Sequence, residues 1–458
     1  MFNVRSAGAV GDGGTDDTAA FARAISACNS AGGGTVVVPA GTYRTGAIHL
    51  KSNVNLRLDG ATLAFSADPL AFPVVLTRYE GIECMNRSPM IYANGANNIA
   101  VTGTGVLDAS ATAAWNVGSE RRVLESWVNG GVTDPRKRVV PGSGLSLRSS
   151  FIQPYGCDRV LIQGVTLRGA MFWQIHPTLC TNVTVDGVTT DRDTTRTNTD
   201  SCDPESCDHV VIKNSVLRAN DDNIAIKSGR DADGRRVNVP SQNIVAFGNT
   251  MDGSSGAITC GSEQTGGIQN VYAYQNRLIG ATARGLYIKS NTLRGGFTRN
   301  INIDSMSGSI RSVFALVEMA YKNQTGGFLP EYRGITITKF VVHPGSADLR
   351  RARAECLPCA RLRGARLRLP RGDGSDDRVP VRRRAPLHQR EDQRHRRRGL
   401  SHPPAPRMSF LHRYPLRVVA MGLRFRRGSG ASRQQVAEMV GDRIAGTVRR
   451  DIDTPDAE

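Results

Sequence analysis

The sequence predicts an all-β fold, a right-handed parallel β-helix with an N-terminal capping helix. Two observations carry that expectation. Short segments recur along the chain: Asn98-Ile99-Ala100-Val101, Arg159-Val160-Leu161-Ile162, Asn182-Val183-Thr184-Val185, His209-Val210-Val211-Ile212, Asn243-Ile244-Val245-Ala246, Asn270-Val271-Tyr272-Ala273, Asn300-Ile301-Asn302-Ile303 and Gly334-Ile335-Thr336-Ile337. After a first interval about twice as long, they return every 23 to 34 residues, a period that signals a solenoid. Each segment is also β-branched, alternates apolar with polar, and is bounded by Gly, Asn or Asp, so it reads as a short strand between turns. One such strand cannot bury its apolar side alone, whereas stacked coils share a continuous core. A β-propeller fits less well, because its blades need about 40 to 45 residues.

At the amino end, Thr15-Asp16-Asp17 precedes Phe21, Ile25 and Cys28 at helical spacing. This predicts a capped amphipathic helix that covers the first apolar rung. Gly32-Gly33-Gly34 ends the helix and Val36-Val37-Val38 opens the strands. The run Gly8 to Gly14 lacks the strand and lysine that a phosphate loop requires. The strand period stops after Ile337, so residues 1–345 are expected to form the β-helix, with C-terminal coils missing, and residues 346–458 a separate tail.

Composition divides at the same place. The formal charge is +18, yet the residues after 345 contain 27 arginines, no lysine and 13 acidic residues, so +14 of it lies there. Three readings compete for this tail: a disordered basic extension, a nucleic-acid-binding arm, or an out-of-frame translation of a GC-rich gene. The last is favoured, because the repeats stop where further coils and a cap are still needed. Nucleic acid is then expected to bind only non-specifically, through the tail. Nine cysteines without framework spacing do not imply a disulfide scaffold, and Cys84, Cys180 and Cys260 read as small core residues. Cys356-Leu357-Pro358-Cys359 lacks the second pair of a zinc site. Met1 to Arg5 carries no secretory signal, which reads as cytoplasmic, or as secreted or periplasmic if the true start lies upstream. No apolar run reaches membrane-spanning length.

The chemistry-bearing residues sit on neighbouring repeats. Asp200 to Asp221 is about one coil, so the two are expected on adjacent rungs, about 4.8 Å apart in the stacking direction. In Asp221-Asp222-Asn223-Ile224-Ala225-Ile226-Lys227 the isoleucines take the inward parity, which sends Asp221, Asn223 and Lys227 outward. Asp222 then reaches the same face only if the strand starts after it or bulges there. Inward Leu286 and Ile288 likewise leave Tyr287 and Lys289 outward. Three carboxylates beside a cation suit hydrolysis of a glycosidic bond in an acidic polymer. The competing reading is ordinary surface turns, where Asp and Asn are common.

Asn198-Thr199-Asp200, Cys202-Asp203-Pro204-Glu205-Ser206-Cys207 and Asn220-Asp221-Asp222-Asn223-Ile224-Ala225-Ile226-Lys227-Ser228-Gly229-Arg230 closely resemble glycoside hydrolase family 28, the polygalacturonases. So do Gly11-Asp12-Gly13-Gly14-Thr15-Asp16-Asp17, Phe151-Ile152-Gln153-Pro154-Tyr155-Gly156 and Trp173-Gln174-Ile175-His176-Pro177. The likeness covers about residues 2–345. It implies a pectin-lyase-like β-helix without metal or other cofactor, a pectic poly- or oligosaccharide as substrate, and single-displacement hydrolysis with inversion; the chain itself is expected to be a monomer. Asp221 would be the general acid, and Asp200 with Asp222 would activate water. Asn198, Ser255, Tyr287 and Lys289 would bind substrate. Inversion is expected to set the carboxyl groups about 6.5 to 9.5 Å apart. Gly261-Ser262-Glu263 resembles the bacterial branch.

Two departures stand out. Where the family has a histidine this chain has Ser255, and where it has the arginine of an Arg-Ile-Lys motif it has Tyr287. The first loses a group that tunes a carboxylate; the second loses a fork for a uronate carboxylate. They mark either lowered activity or a different sugar beside the cut, such as a rhamnose-containing or substituted backbone. Arg230, Arg236 and Arg284 are candidates to replace the charge. A pectate lyase on the same scaffold and a non-catalytic carbohydrate-binding β-helix are the other classes the sequence allows.

Overall fold

The computed structural model describes residues 1–144, 146–280 and 282–342. All eight recurring segments fall in one sheet of parallel strands, stacked in chain order: Asn97–Gly103, Asp158–Gln163, Thr181–Asp186, Asp208–Lys213, Ser241–Phe247, Ile268–Tyr274, Phe297–Asp304 and Glu331–Thr338. The chain is a parallel β-helix. Val160, Val183, Val210, Ile244, Val271, Ile301 and Ile335 pair in register and are buried as one column of the core.

The asparagine that opens most of these segments has a geometric cause. Asn98, Asn182, Asn243, Asn270 and Asn300 all have φ between 52° and 56°, a left-handed conformation that asparagine tolerates better than most residues. Their amides also stack: Asn300 Nδ2 donates to Asn270 Oδ1 at 2.8 Å and Asn270 Nδ2 to Asn243 Oδ1 at 3.0 Å. The seven described cysteines are free and buried.

The helix Thr18–Ser30 covers the first coil and buries Phe21, Ile25 and Cys28. Its start differs from the expectation. Asp17 makes no cap bond; its carboxylate accepts the Val10 and Gly11 N–H groups, at 2.7 and 3.2 Å. Asp16 Oδ1 instead takes the Thr18 N–H at 3.0 Å. Strands also precede Val36: Phe2–Asn3 and Asp12–Asp16 both pair with Gly34–Thr45, so the glycine run enters the sheet.

Three excursions leave the coils on one side. They are the antiparallel hairpin Val74–Tyr79 and Ile82–Arg87, the helix Arg122–Asn129 inside the doubled first interval, and the helix Asp231–Val237. Arg138 fastens two of them: its guanidinium bonds Asp233 Oδ1 at 2.8 Å and the Glu83 carbonyl at 2.9 Å. No described helix is long and apolar enough to cross a membrane. The tail readings and the Cys356/Cys359 pair lie outside the described residues.

Candidate active site

A second sheet, made of Ile224–Ile226, Gly256–Gly261, Arg284–Lys289 and Ala315–Glu318, carries the site. Cys202 bridges Ile224, Ile224 pairs with Ile258, and Ile258 with Leu286, so Asp200, Asp222, Gly256 and Arg284 stand level on successive coils. The strand begins at Ile224, after both aspartates, and this frees Asp222 from strand parity. Its Oδ1 accepts the Gly256 N–H at 2.7 Å and its Oδ2 accepts from Lys289 Nζ at 2.9 Å. Gly256 is needed there, since a Cβ would lie 2.3 Å from Thr259 Oγ1 and 3.1 Å from Asp222 Oδ1.

Oxygens of Asp200, Asp221 and Asp222 lie within 4.8 Å of one another. They face a solvent-open cavity of about 400 Å³ that Asn198, Lys227 and Lys289 also line. Asn198 Nδ2 is 3.4 Å from Asp221 Oδ2, and Arg148 holds the Asn198 Oδ1 at 3.1 Å. The nearest-oxygen spacing is closer than the 6.5 to 9.5 Å expected between carboxyl groups, because all three aspartates project from two adjacent rungs.

Lys227 is the second cation of the site. Its Nζ lies 4.3 Å from the Trp173 ring centre, 3.7 Å from Asp200, 3.5 Å from Asp203 and 3.4 Å from Glu263. Trp173 is held edge-on by His176, whose Nε2 pairs with Glu205 at 2.9 Å. Glu205 in turn meets Arg78 at 3.3 Å. Glu263 faces Arg294 at 3.6 Å and Arg230 at 3.9 Å. Arg230 continues to Glu80 at 3.0 Å and Glu125 at 2.6 Å, and its N–H donates to the Gly81 carbonyl at 3.0 Å. The hairpin tip, through Glu80, and Arg121, which precedes the helix Arg122–Asn129, therefore form part of the cavity wall.

These surroundings separate the carboxyl groups. Burial, then the charge of Asp222, pushes Asp221 up. Burial and the neighbouring Asp221 push Asp200 well up. Burial would raise Asp222 too, but Lys289 and Lys227 outweigh it and hold the group below its ordinary value. The same balance, struck with Lys227, Arg294 and Arg230, holds Glu263 well down. A protonated Asp221 beside an ionised Asp222 is an acid and base pair made by environment. The three aspartates are also an oxygen donor set for a divalent cation, but Lys289 and Lys227 already bring two ammonium groups to it.

Other expected residues fall elsewhere. Asn223 is not outward; its amide donates to the Leu217 carbonyl at 2.9 Å and closes the turn. Ser255 meets the site through its backbone, its N–H donating to the Asp221 carbonyl at 3.2 Å. Tyr287 sends its hydroxyl to Glu318 Oε2 at 2.6 Å, with Arg284 stacked on its ring at 4.4 Å. Neither side chain is among those lining the cavity. Arg236 is engaged by Asp233 and Glu83. The sequence reading missed Glu80, Arg121, Arg294, Tyr321 and Lys322. All five come from turns and excursions outside the strand period.

The family described as glycosyl hydrolases family 28 matches residues 28–360. Over 311 residues the chain is 28% identical to a probable polygalacturonase of Vitis vinifera, covering 66% of this chain and 59% of that protein. Over 371 residues it is 27% identical to an exo-poly-alpha-D-galacturonosidase of Dickeya chrysanthemi, covering 71% and 58%. The chain thus spans about three fifths of the length of these curated relatives. The crystal structure of a hyperthermoactive exopolygalacturonase from Thermotoga maritima superposes with a TM-score of 0.70 at 37% identity, over 74% of this chain and 80% of that one.

Proposed function

The chain belongs to glycosyl hydrolase family 28, and from that premise we propose that it hydrolyses the α-1,4-galacturonosidic bonds of a pectic polymer, acting at chain ends by single displacement. The observation that carries this reading is Lys289 bound to Asp222 at 2.9 Å, with Asp221 beside them raised by burial and by the Asp222 charge. Asp221 gives its proton to the glycosidic oxygen as the bond to the anomeric carbon breaks. Asp222 takes a proton from the water that attacks that carbon, and Asp200 assists by positioning that water through a hydrogen bond. One proton leaves an acid and one returns to a base, and exchange with solvent resets the pair.

The close spacing of the aspartates would also suit a covalent intermediate, so spacing does not decide the stereochemistry. Charge favours the single displacement. An ester on Asp222 would remove the anion that the buried Lys289 ammonium needs, and an uncompensated buried charge is costly. Asp200 and Asp221, both raised toward the neutral acid, are poor nucleophiles.

Chain-end action is supported by the contacts of Arg230 with Glu80, Gly81 and Glu125, which draw the hairpin tip and the helix Arg122–Asn129 up to the cavity. The names of the Dickeya and Thermotoga proteins carry the same mode of action. Polygalacturonate digestion followed by proton NMR of the first product tests the whole reading. The inverted anomer of a short oligomer is expected, and Asp221→Asn should lower turnover by about 10² to 10⁴ without lowering the melting temperature. An unsaturated product, a retained anomer or near-normal turnover of the variant would each overturn it.

A further inference from the structure

Six cationic side chains line the cavity: Arg121, Lys227, Arg230, Lys289, Arg294 and Lys322. Five are already engaged by carboxylates. Arg121 meets Glu80 at 2.8 Å, Lys289 meets Asp222 at 2.9 Å, and Arg294 meets Glu263 at 3.6 Å. Lys227 and Arg230 each face three or more acidic groups. Among the described residues, Lys322 has no ion pair. Its ammonium lies 5.4 Å from the Tyr321 ring centre, and Lys289 Nζ lies 5.4 Å from the same ring. The two ammonium groups are therefore neighbours across one aromatic side chain.

The position of Lys322 is built rather than incidental. Its backbone is left-handed, with φ 55°. The turn is pinned to the residues directly after Lys289: the Tyr321 N–H donates to the Ser290 carbonyl at 2.9 Å, and Asn291 Nδ2 donates to the Tyr321 carbonyl at 3.1 Å. Lys322 also stands within the field of Arg121, Glu80, Glu263 and Arg230, which line the same cavity, and partial desolvation and Arg121 together push its ammonium down. A cation already paired must share its charge between its own partner and a sugar carboxylate. Lys322 is exposed, and its unpaired ammonium gives up only water when it forms a charge-assisted hydrogen bond.

We propose that Lys322 binds the carboxylate of the terminal uronic acid residue in the cleft and is the residue that separates a uronic acid from the corresponding neutral sugar. This assignment rests on the reading of the substrate as a uronan. It also explains how a cleft with Tyr287 in place of an arginine still offers a free positive charge.

The test uses the full chain and its Lys322→Met and Lys322→Arg variants. Calorimetric binding of D-galacturonate and D-galactose is measured first, because it needs no turnover. Lys322→Met should weaken galacturonate binding about 10- to 100-fold, leave galactose binding unchanged, and be largely rescued by Lys322→Arg. On trigalacturonate the same factor should appear in kcat/KM, mainly through KM. Equal losses for the acid and the neutral sugar, or no loss for either, would overturn the assignment. If the wild-type chain hydrolyses no galacturonan yet binds galacturonate through Lys322, the hydrolase reading fails and the carboxylate site stands. If the wild type shows no preference for galacturonate over galactose, the site itself fails.

Discussion

Replacing Lys289 by Met probes the electrostatics of the site most directly, because the two groups involved are buried and 2.9 Å apart. In the wild type, Lys289 leads the influences that hold Asp222 below its ordinary value of 3.8 against the effect of burial. An opposite charge this close is worth about 1 to 3 pKa units, and each unit is about 1.4 kcal/mol. Its removal leaves burial opposed by Lys227 and the Gly256 N–H, so Asp222 should rise. If Asp222 is the base, the acid limb of kcat/KM against pH must move up by about 1 to 3 units. Stability must change with the opposite slope. The wild-type carboxylate stabilises the fold above the unfolded pKa, and that contribution is lost as pH falls through the lower folded value. In the variant the carboxyl is raised, so it is harmless when protonated and increasingly destabilising as pH rises. The deficit should be about 3 to 5 kcal/mol near neutrality and should shrink toward pH 3. Methionine keeps the length and apolar stem of lysine, so packing loss is small. Reducing-sugar release from polygalacturonate across pH gives the first quantity, and denaturant unfolding at several pH values gives the second. An unmoved acid limb together with a pH-independent deficit would refute the assignment of Asp222 as the base governed by Lys289.

Three further outcomes follow from the walls and the tail. Gly81→Ala places a Cβ 2.6 Å from Arg230 Cβ at a backbone φ of 86°, so the hairpin tip must lift. A loss of about 1 to 3 kcal/mol and longer products from polygalacturonate are expected, read by thermal melting and product sizing. Arg138→Met removes one of the two arginines that form ion pairs with the buried Asp233 among the described residues. A loss of about 3 kcal/mol should appear as a lower denaturant midpoint, and a variant as stable as the wild type would show that this clamp contributes nothing. Limited proteolysis should leave a resistant fragment ending between residue 345, where the strand period predicts the boundary, and residue 360, where the family match stops. Resistance of the segment beyond 360 would show instead a packed domain.

The stacking of the coils was legible because each rung repeats the same local demand. A residue that tolerates a left-handed backbone comes first, then a β-branched side chain for the core, and the demand returns with each coil at Asn182, Asn243, Asn270 and Asn300. The aspartates were legible for a related reason, since Asp200, Asp221 and Asp222 sit on neighbouring coils whose period fixes their alignment. Parity failed at Asn223 because the strand had not yet begun, and a turn residue answers to its nearest unpaired carbonyl, here Leu217, rather than to an alternating pattern.

The walls follow no such rule. Glu80 reaches Arg230 across 150 positions of sequence, and Arg121 reaches Glu80 from an excursion that interrupts the repeat. Neither contact has a local signature. Lys322 was hidden more deeply still. What distinguishes it is the absence, among the described residues, of an ion pair where its five cationic neighbours have one, and that becomes visible only when the whole lining is assembled. In this fold the repeat sets where the carboxylates gather, while the turns and excursions that break it supply further cations around them.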